Sequence, residues 1–134
     1  FISHQDPILH LGNFAENSQV HISAELDAVF TNCIIYGDQE EEIDMDDDKS
    51  GALFNYQFNY CLLKTQMDVS DTNYISIIKD NDPEFVMTSE GDYHLEATSP
   101  CIEAGKSTLV TDDLEGNPRD IIKPDIGAYE YMPE

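Results

Sequence analysis

The strongest constraint on the fold is a short internal repeat. Phe30-Thr31-Asn32-Cys33-Ile34-Ile35 aligns with Phe58-Asn59-Tyr60-Cys61-Leu62-Leu63 at an offset of 28 residues. Each copy is a short apolar run that opens on an aromatic and carries Cys at its fourth position. A unit of roughly 20 to 30 residues built from short strands cannot bury its apolar face alone; stacking on its neighbour does so. The repeat therefore predicts a β-solenoid in which Phe30 lies over Phe58 and Cys33 over Cys61, like side chains forming ladders in a common core.

Further strands are expected at Val20-His21-Ile22, Leu53-Phe54-Asn55-Tyr56, Tyr74-Ile75-Ser76-Ile77-Ile78 and Tyr93-His94-Leu95, where aromatic and β-branched residues concentrate. No segment sustains a 3.6-residue apolar period. Asn81-Asp82-Pro83 and Ser99-Pro100 mark chain reversals, because the residue before proline is driven out of the α region. Between the two repeat copies, Asp38 to Asp48 carries eight acids in eleven residues. Such a run is expected on the loop side of a solenoid turn, where charged insertions are tolerated.

The charge balance restricts partners. Twenty-eight acids against six bases leave a net charge of −22, which is the wrong sign for a nucleic-acid footprint or for an anionic membrane surface. No apolar run is long enough for direct membrane insertion. Seven Tyr and six Phe supply the burial that an acidic chain needs to fold. At 134 residues, opening on Phe and without a leader-like apolar stretch, the chain reads as one domain or a mature C-terminal piece of a larger one.

The last third carries three linked elements. Asp82-Pro83-Glu84-Phe85-Val86 precedes Gly91-Asp92-Tyr93-His94-Leu95; Ser99-Pro100-Cys101 and Gly116-Asn117-Pro118-Arg119 follow; Asp125-Ile126-Gly127-Ala128-Tyr129-Glu130-Tyr131 closes the chain. In this order they resemble the C-terminal region of secreted right-handed parallel β-helix (pectin-lyase-like) proteins of the Bacteroides type. The resemblance implies an all-β, right-handed parallel β-helix fragment, with coils over residues 1–80 and the last coil and a C-terminal cap over 81–134. It implies an extracellular or cell-surface location and a polysaccharide or glycan partner, without implying a reaction. An exposed solenoid edge invites pairing. One strand at Asp125 to Tyr131 is therefore expected to seal it, and Phe1 to Phe14 to cover the opposite edge or mediate edge-to-edge self-association.

Candidate sites follow from residue chemistry. Arg119 is the only arginine, suited to tie the cap by a bidentate pair to Asp125 or Glu130, with Gly127 permitting close backbone approach. Asp44, Asp46 and Asp48 alternate like calcium ligands, but Lys49 and Asn55 occupy positions where an EF-hand loop needs Gly and Glu. A calcium site there competes with a solvated acidic face; no other cofactor is expected. Tyr56, Asn59 and Tyr60 lie in an aromatic-amide stretch suited to stack on and hydrogen-bond sugar rings. The same stretch also suits a strand with alternate residues buried. Cys33, Cys61 and Cys101 allow three single disulfides or three free thiols. His4, His10, His21 and His94 show no metal spacing, and no Ser-His-Asp arrangement is legible. Asp112-Asp113 is a carboxylate pair without the companions of a β-helix hydrolase, and only Lys49 stands near the acidic run as a lyase base would. The chain is thus expected to be a non-catalytic module, carbohydrate-associated or adhesive. The alternative is the end of a lyase or glycoside hydrolase whose active groups lie in coils upstream.

Overall fold

The structure is a computed structural model that describes residues 4–133. Phe1 to Ser3, part of the expected edge cover, lie outside the described residues. The fold is all-β: among the described residues there is no α-helix, only a 3₁₀ turn at Thr88–Glu90.

Three parallel ladders organise the first 80 residues. Strand β1 (Leu9–Gly12) pairs with β6 (Ile43–Asp46), Leu9 opposite Ile43. The second ladder runs β4 (Leu26–Thr31), β7 (Phe54–Asn59), β9 (Tyr74–Ile75). The third runs β5 (Ile34–Ile35), β8 (Leu62–Leu63), β10 (Ile78–Lys79). Leu26 faces Phe54 and Ile34 faces Leu62, both at the 28-residue offset of the repeat. Phe58 then faces Tyr74 and Leu62 faces Ile78 after only 16 residues. The first ladder is offset by 34 because a hairpin of β2 (Phe14–Glu16) and β3 (His21–Ser23) is inserted after β1.

Strand alternation sends Leu9 and Leu11, Ile43 and Met45, and Phe54, Tyr56 and Phe58 into one core, where Phe58, Cys61 and Leu63 are wholly buried. The predicted stacking of Phe30 over Phe58 is present and extends to Tyr74. Ring centroids are 4.8 and 5.6 Å apart, with planes 13° and 6° from parallel. Two residues after each of these rings the backbone turns through the left-handed region, at Asn32 (φ 55°), Tyr60 (φ 53°) and Ser76 (φ 54°). Asparagine adopts this conformation at little cost, whereas tyrosine and serine give up about 1 kcal/mol.

Several expectations are corrected. Tyr74 to Ile78 is two strands broken at the Ser76 corner. The strand expected at Val20 to Ile22 is the antiparallel β3, and that at Leu53 to Tyr56 continues to Asn59. The acidic run is a strand in its middle: Ile43 and Met45 point inward while Asp44 and Asp46 face His10 and Gly12 across the ladder. Leu9 to Gly12, rather than covering an edge, joins the first ladder.

The remainder carries β11 (Phe85–Met87) antiparallel to β12 (Asp92–Leu95), then irregular chain. Asp125 to Tyr131 forms no strand. It packs against the flank of the third ladder. Ile34, Leu62 and Ile78 turn outward there to meet Leu95, Cys101 and Ile126 in a second core. Buried carboxylates take the place of ladder carbonyls as hydrogen-bond acceptors. Asp125 accepts the Glu103 and Tyr131 N–H groups at 2.7 and 2.6 Å, and Glu130 those of Asp120 and Asp125 at 2.9 and 3.2 Å. Asp113 accepts the N–H groups of Glu115, Asn117 and Glu130 and the Asn117 amide. Arg119 donates to Glu130 Oε2 at 3.3 Å and to the carbonyls of Asp125 and Gly127 at 3.3 and 2.7 Å. The expected bidentate carboxylate pair is thus a single bond to a carboxylate plus two to backbone, because Gly127 brings its carbonyl within reach. The Gly127 N–H also binds the Asn32 carbonyl at 2.9 Å, joining the tail to the first repeat copy.

Candidate functional site

Where the tail meets the third ladder, three aromatic rings converge from distant segments: Tyr36 just after β5, Phe85 at the start of β11, and Tyr93 in β12. They line two adjoining depressions. One, of about 610 Å³, is bounded on its far side by Asp38, Asp82, Glu84 and Glu96. The other, of about 500 Å³, is closed by Ile34, Leu114, Ala128 and Tyr129. The shared rings make them one groove with an acidic end and an apolar end.

The groove is braced from behind. Phe85 and Tyr93 meet edge to face at 5.3 Å and 89°, and Tyr93 remains 50% exposed. Lys64 lies 4.8 Å over one face of Tyr36 while its Nζ donates to the Gly37 carbonyl at 2.7 Å. Partial burial, with Asp82 and Asp80 nearby, holds the Tyr36 phenol above its ordinary pKa, so it stays a hydrogen-bond donor. At the acidic end Asp82 accepts the Glu84 N–H at 2.8 Å, and Glu84 accepts the Thr98 hydroxyl. His4 closes that end through a 2.9 Å contact with the wholly buried Glu42. A Cβ at Gly37 would lie 2.3 Å from Glu42 Oε1 and 2.7 Å from His4 Cε1, so a side chain there would displace this pair. Aromatic faces beside acceptor carboxylates suit a ligand with apolar ring faces and outward hydroxyls, and they repel anions.

The residues predicted for sugar binding are not brought together. Tyr56 points into the core between Phe54, Phe58 and Tyr74, with centroids 5.9 to 6.1 Å away. Asn59 lies on the opposite face of β7, buried, with its amide on Gln57 Oε1 at 3.1 Å. Tyr60 occupies the left-handed corner. An odd spacing along a strand puts Tyr56 and Asn59 on opposite faces.

The acidic run is likewise dispersed. Asp44 meets His10 at 2.8 Å, and the Asp46 carbonyl accepts the Asn13 N–H at 3.4 Å. Among the described residues no three His, Cys, Asp or Glu side chains are grouped to hold a metal ion. Asp48 instead accepts the Ser23 hydroxyl, His21 Nε2 at 3.0 Å and the Ser50 N–H at 2.9 Å, while His21 Nδ1 meets Glu16 at 3.1 Å. This Ser-His-carboxylate cluster was invisible in the sequence, since the hairpin return and the acidic run meet only in space. Hydrogen bonds to Asp48 and Glu16 raise the His21 pKa, and Ser23 donates to Asp48. With a carboxylate on both ring nitrogens the imidazole is stabilised as a cation. The cluster, in which Ser23 Oγ also lies 3.5 Å from His21 Nε2, clamps β3 to the turn after β6. His94 behaves similarly, set between Asp92 at 2.7 Å and Glu115 at 3.3 Å and stacked 4.0 Å from Tyr129.

Comparison of the chain with protein-family models, with curated proteins and with solved structures returns no match.

Proposed function

We propose that the chain is a non-catalytic module of an extracellular or cell-surface parallel β-helix protein, and that it binds neutral glycan in the groove of Tyr36, Phe85 and Tyr93. The β-helix reading is supported by the three parallel ladders and by the 28-residue register that two of them share, which this reading takes as one coil. The short 16-residue return is then the last coil, and the tail is a cap lying on its flank. The binding reading is carried by one observation: the three rings are shared by two adjoining depressions, one of them walled by four carboxylates. Rings supply stacking platforms, carboxylates accept hydroxyl hydrogen bonds, and the net charge of −22 selects against polyuronates.

Calorimetric titration with neutral oligosaccharides and with an oligouronate tests this. Binding is expected for a neutral ligand without turnover, weakened roughly tenfold by Tyr93→Ala, the loss of one stacking contact of about 1.4 kcal/mol. Preference for the uronate, or indifference to Tyr93→Ala, would refute the assignment of the groove.

A further inference from the structure

The repeat places two thiols one above the other, and only one of them is accessible. Cys33 and Cys61 are flanked by paired residues on both sides, Phe30 with Phe58 and Ile34 with Leu62, and the Leu62 N–H donates to the Cys33 carbonyl at 2.9 Å. Neighbouring parallel strands stand about 4.8 Å apart. That is inside the roughly 4.4 to 6.8 Å Cα separation that a disulfide spans without moving backbone. All three cysteines are free thiols. Cys33 is partly exposed and lines the apolar end of the groove, whereas Cys61 is wholly buried in the core behind it. Cys101 belongs to the other core, with the third ladder between it and the pair.

We infer that Cys33 and Cys61 form a vicinal thiol site at which small disulfides react, first at Cys33 and then by internal exchange, linking the two repeat copies covalently. In the first step the Cys33 thiolate attacks one sulfur of the small disulfide, forming a mixed disulfide and releasing one small thiolate. Cys61 then gives up its proton and attacks Cys33 Sγ, releasing the second. Two protein thiols are oxidised, and one small disulfide is reduced to two thiols. The order of attack follows from access and ionisation together. The neighbouring Cys61 thiol lowers the pKa of Cys33, while burial pushes Cys101 up to about 11. The interaction with Cys33 and burial together hold Cys61 protonated; capping Cys33 removes the first of these.

The folded protein is incubated with oxidised glutathione, quenched with acid, and analysed by intact mass and peptide mapping. Wild type is expected to lose two hydrogens with Cys33 joined to Cys61, leaving Cys101 to be alkylated only after unfolding. Cys61→Ser is expected to stop with one glutathione on Cys33, and Cys33→Ser to stay unmodified. If Cys61→Ser does not fold, wild type first alkylated at Cys33 serves instead, and it is expected to form no disulfide. A persistent glutathione on wild-type Cys33, a link to Cys101, or no reaction of the folded chain would each overturn the inference.

Discussion

Phe58 is the residue on which the core turns. It is wholly buried and stacked on both faces, by Phe30 and by Tyr74, so its ring contacts all three strands of the second ladder. Replacing it with alanine removes the transfer energy of the ring and leaves a cavity that the flanking rings, tied to their own strands, cannot fill. Phe58→Ala is expected to cost roughly 3 to 5 kcal/mol, measured by urea unfolding, against a smaller loss for Phe58→Leu. Equal losses for the two would show that stacking and cavity size do not govern this site. Phe58 was legible as a core residue because its neighbour in the repeat shares its chemistry. The left-handed conformation at Tyr60 was not, because nothing in a tyrosine favours it; the corner is imposed by the strands on either side.

At the scale of elements, the tail shows how chain without strands is held. Three buried carboxylates, Asp113, Asp125 and Glu130, accept main-chain N–H groups that a ladder would otherwise satisfy. Burial alone would raise Asp113, but the four hydrogen bonds that it accepts outweigh burial and hold it at about 2, below the ordinary 3.8. A depressed carboxylate contributes stability that is complete above its unfolded pKa and lost as pH falls through the folded one. Asp113 thus contributes roughly 2 kcal/mol near neutrality, lost between about pH 4 and pH 2. Asp125, raised by burial, works in the opposite direction over its own titration. Urea midpoints at pH 4 and pH 2 are expected to fall less in Asp113→Asn than in wild type, with the variant already weaker at pH 7. Parallel slopes would remove Asp113 from this role. The lone arginine singled out its contacts with the tail in the sequence, and Asp125 and Glu130 with it. Asp113 was weighed there only as half of a catalytic pair, because its buried hydrogen bonds join residues 113 to 130.

Over the whole molecule the net charge of −22 opposes compaction. His21 and His94, both raised in pKa by their carboxylate partners, offset some of it locally. Raising sodium chloride from about 10 mM to about 0.5 M shortens the screening length several-fold and is expected to raise the thermal midpoint by several degrees. Calcium chloride at matched ionic strength is expected to give the same rise, since Asp44, Asp46 and Asp48 do not converge. An excess rise with calcium alone would show a specific site instead of screening.

Local chemistry by itself determined the all-β class, the 28-residue register and the ring ladder. Each depends on the order of side chains along one strand and its repeat, which period-two alternation transmits directly. Tertiary structure decided the third member of each of the two longer ladders, the strand within the acidic run and the groove. Tyr74 returns after 16 residues instead of 28, so no fixed period exposes it. Ile43 and Met45 are strand residues only because Leu9 and Leu11 lie beside them. Tyr36, Phe85 and Tyr93 meet because the tail folds back onto the outer face of a ladder. That contact is made by burial between segments far apart in the chain, and no local pattern encodes it.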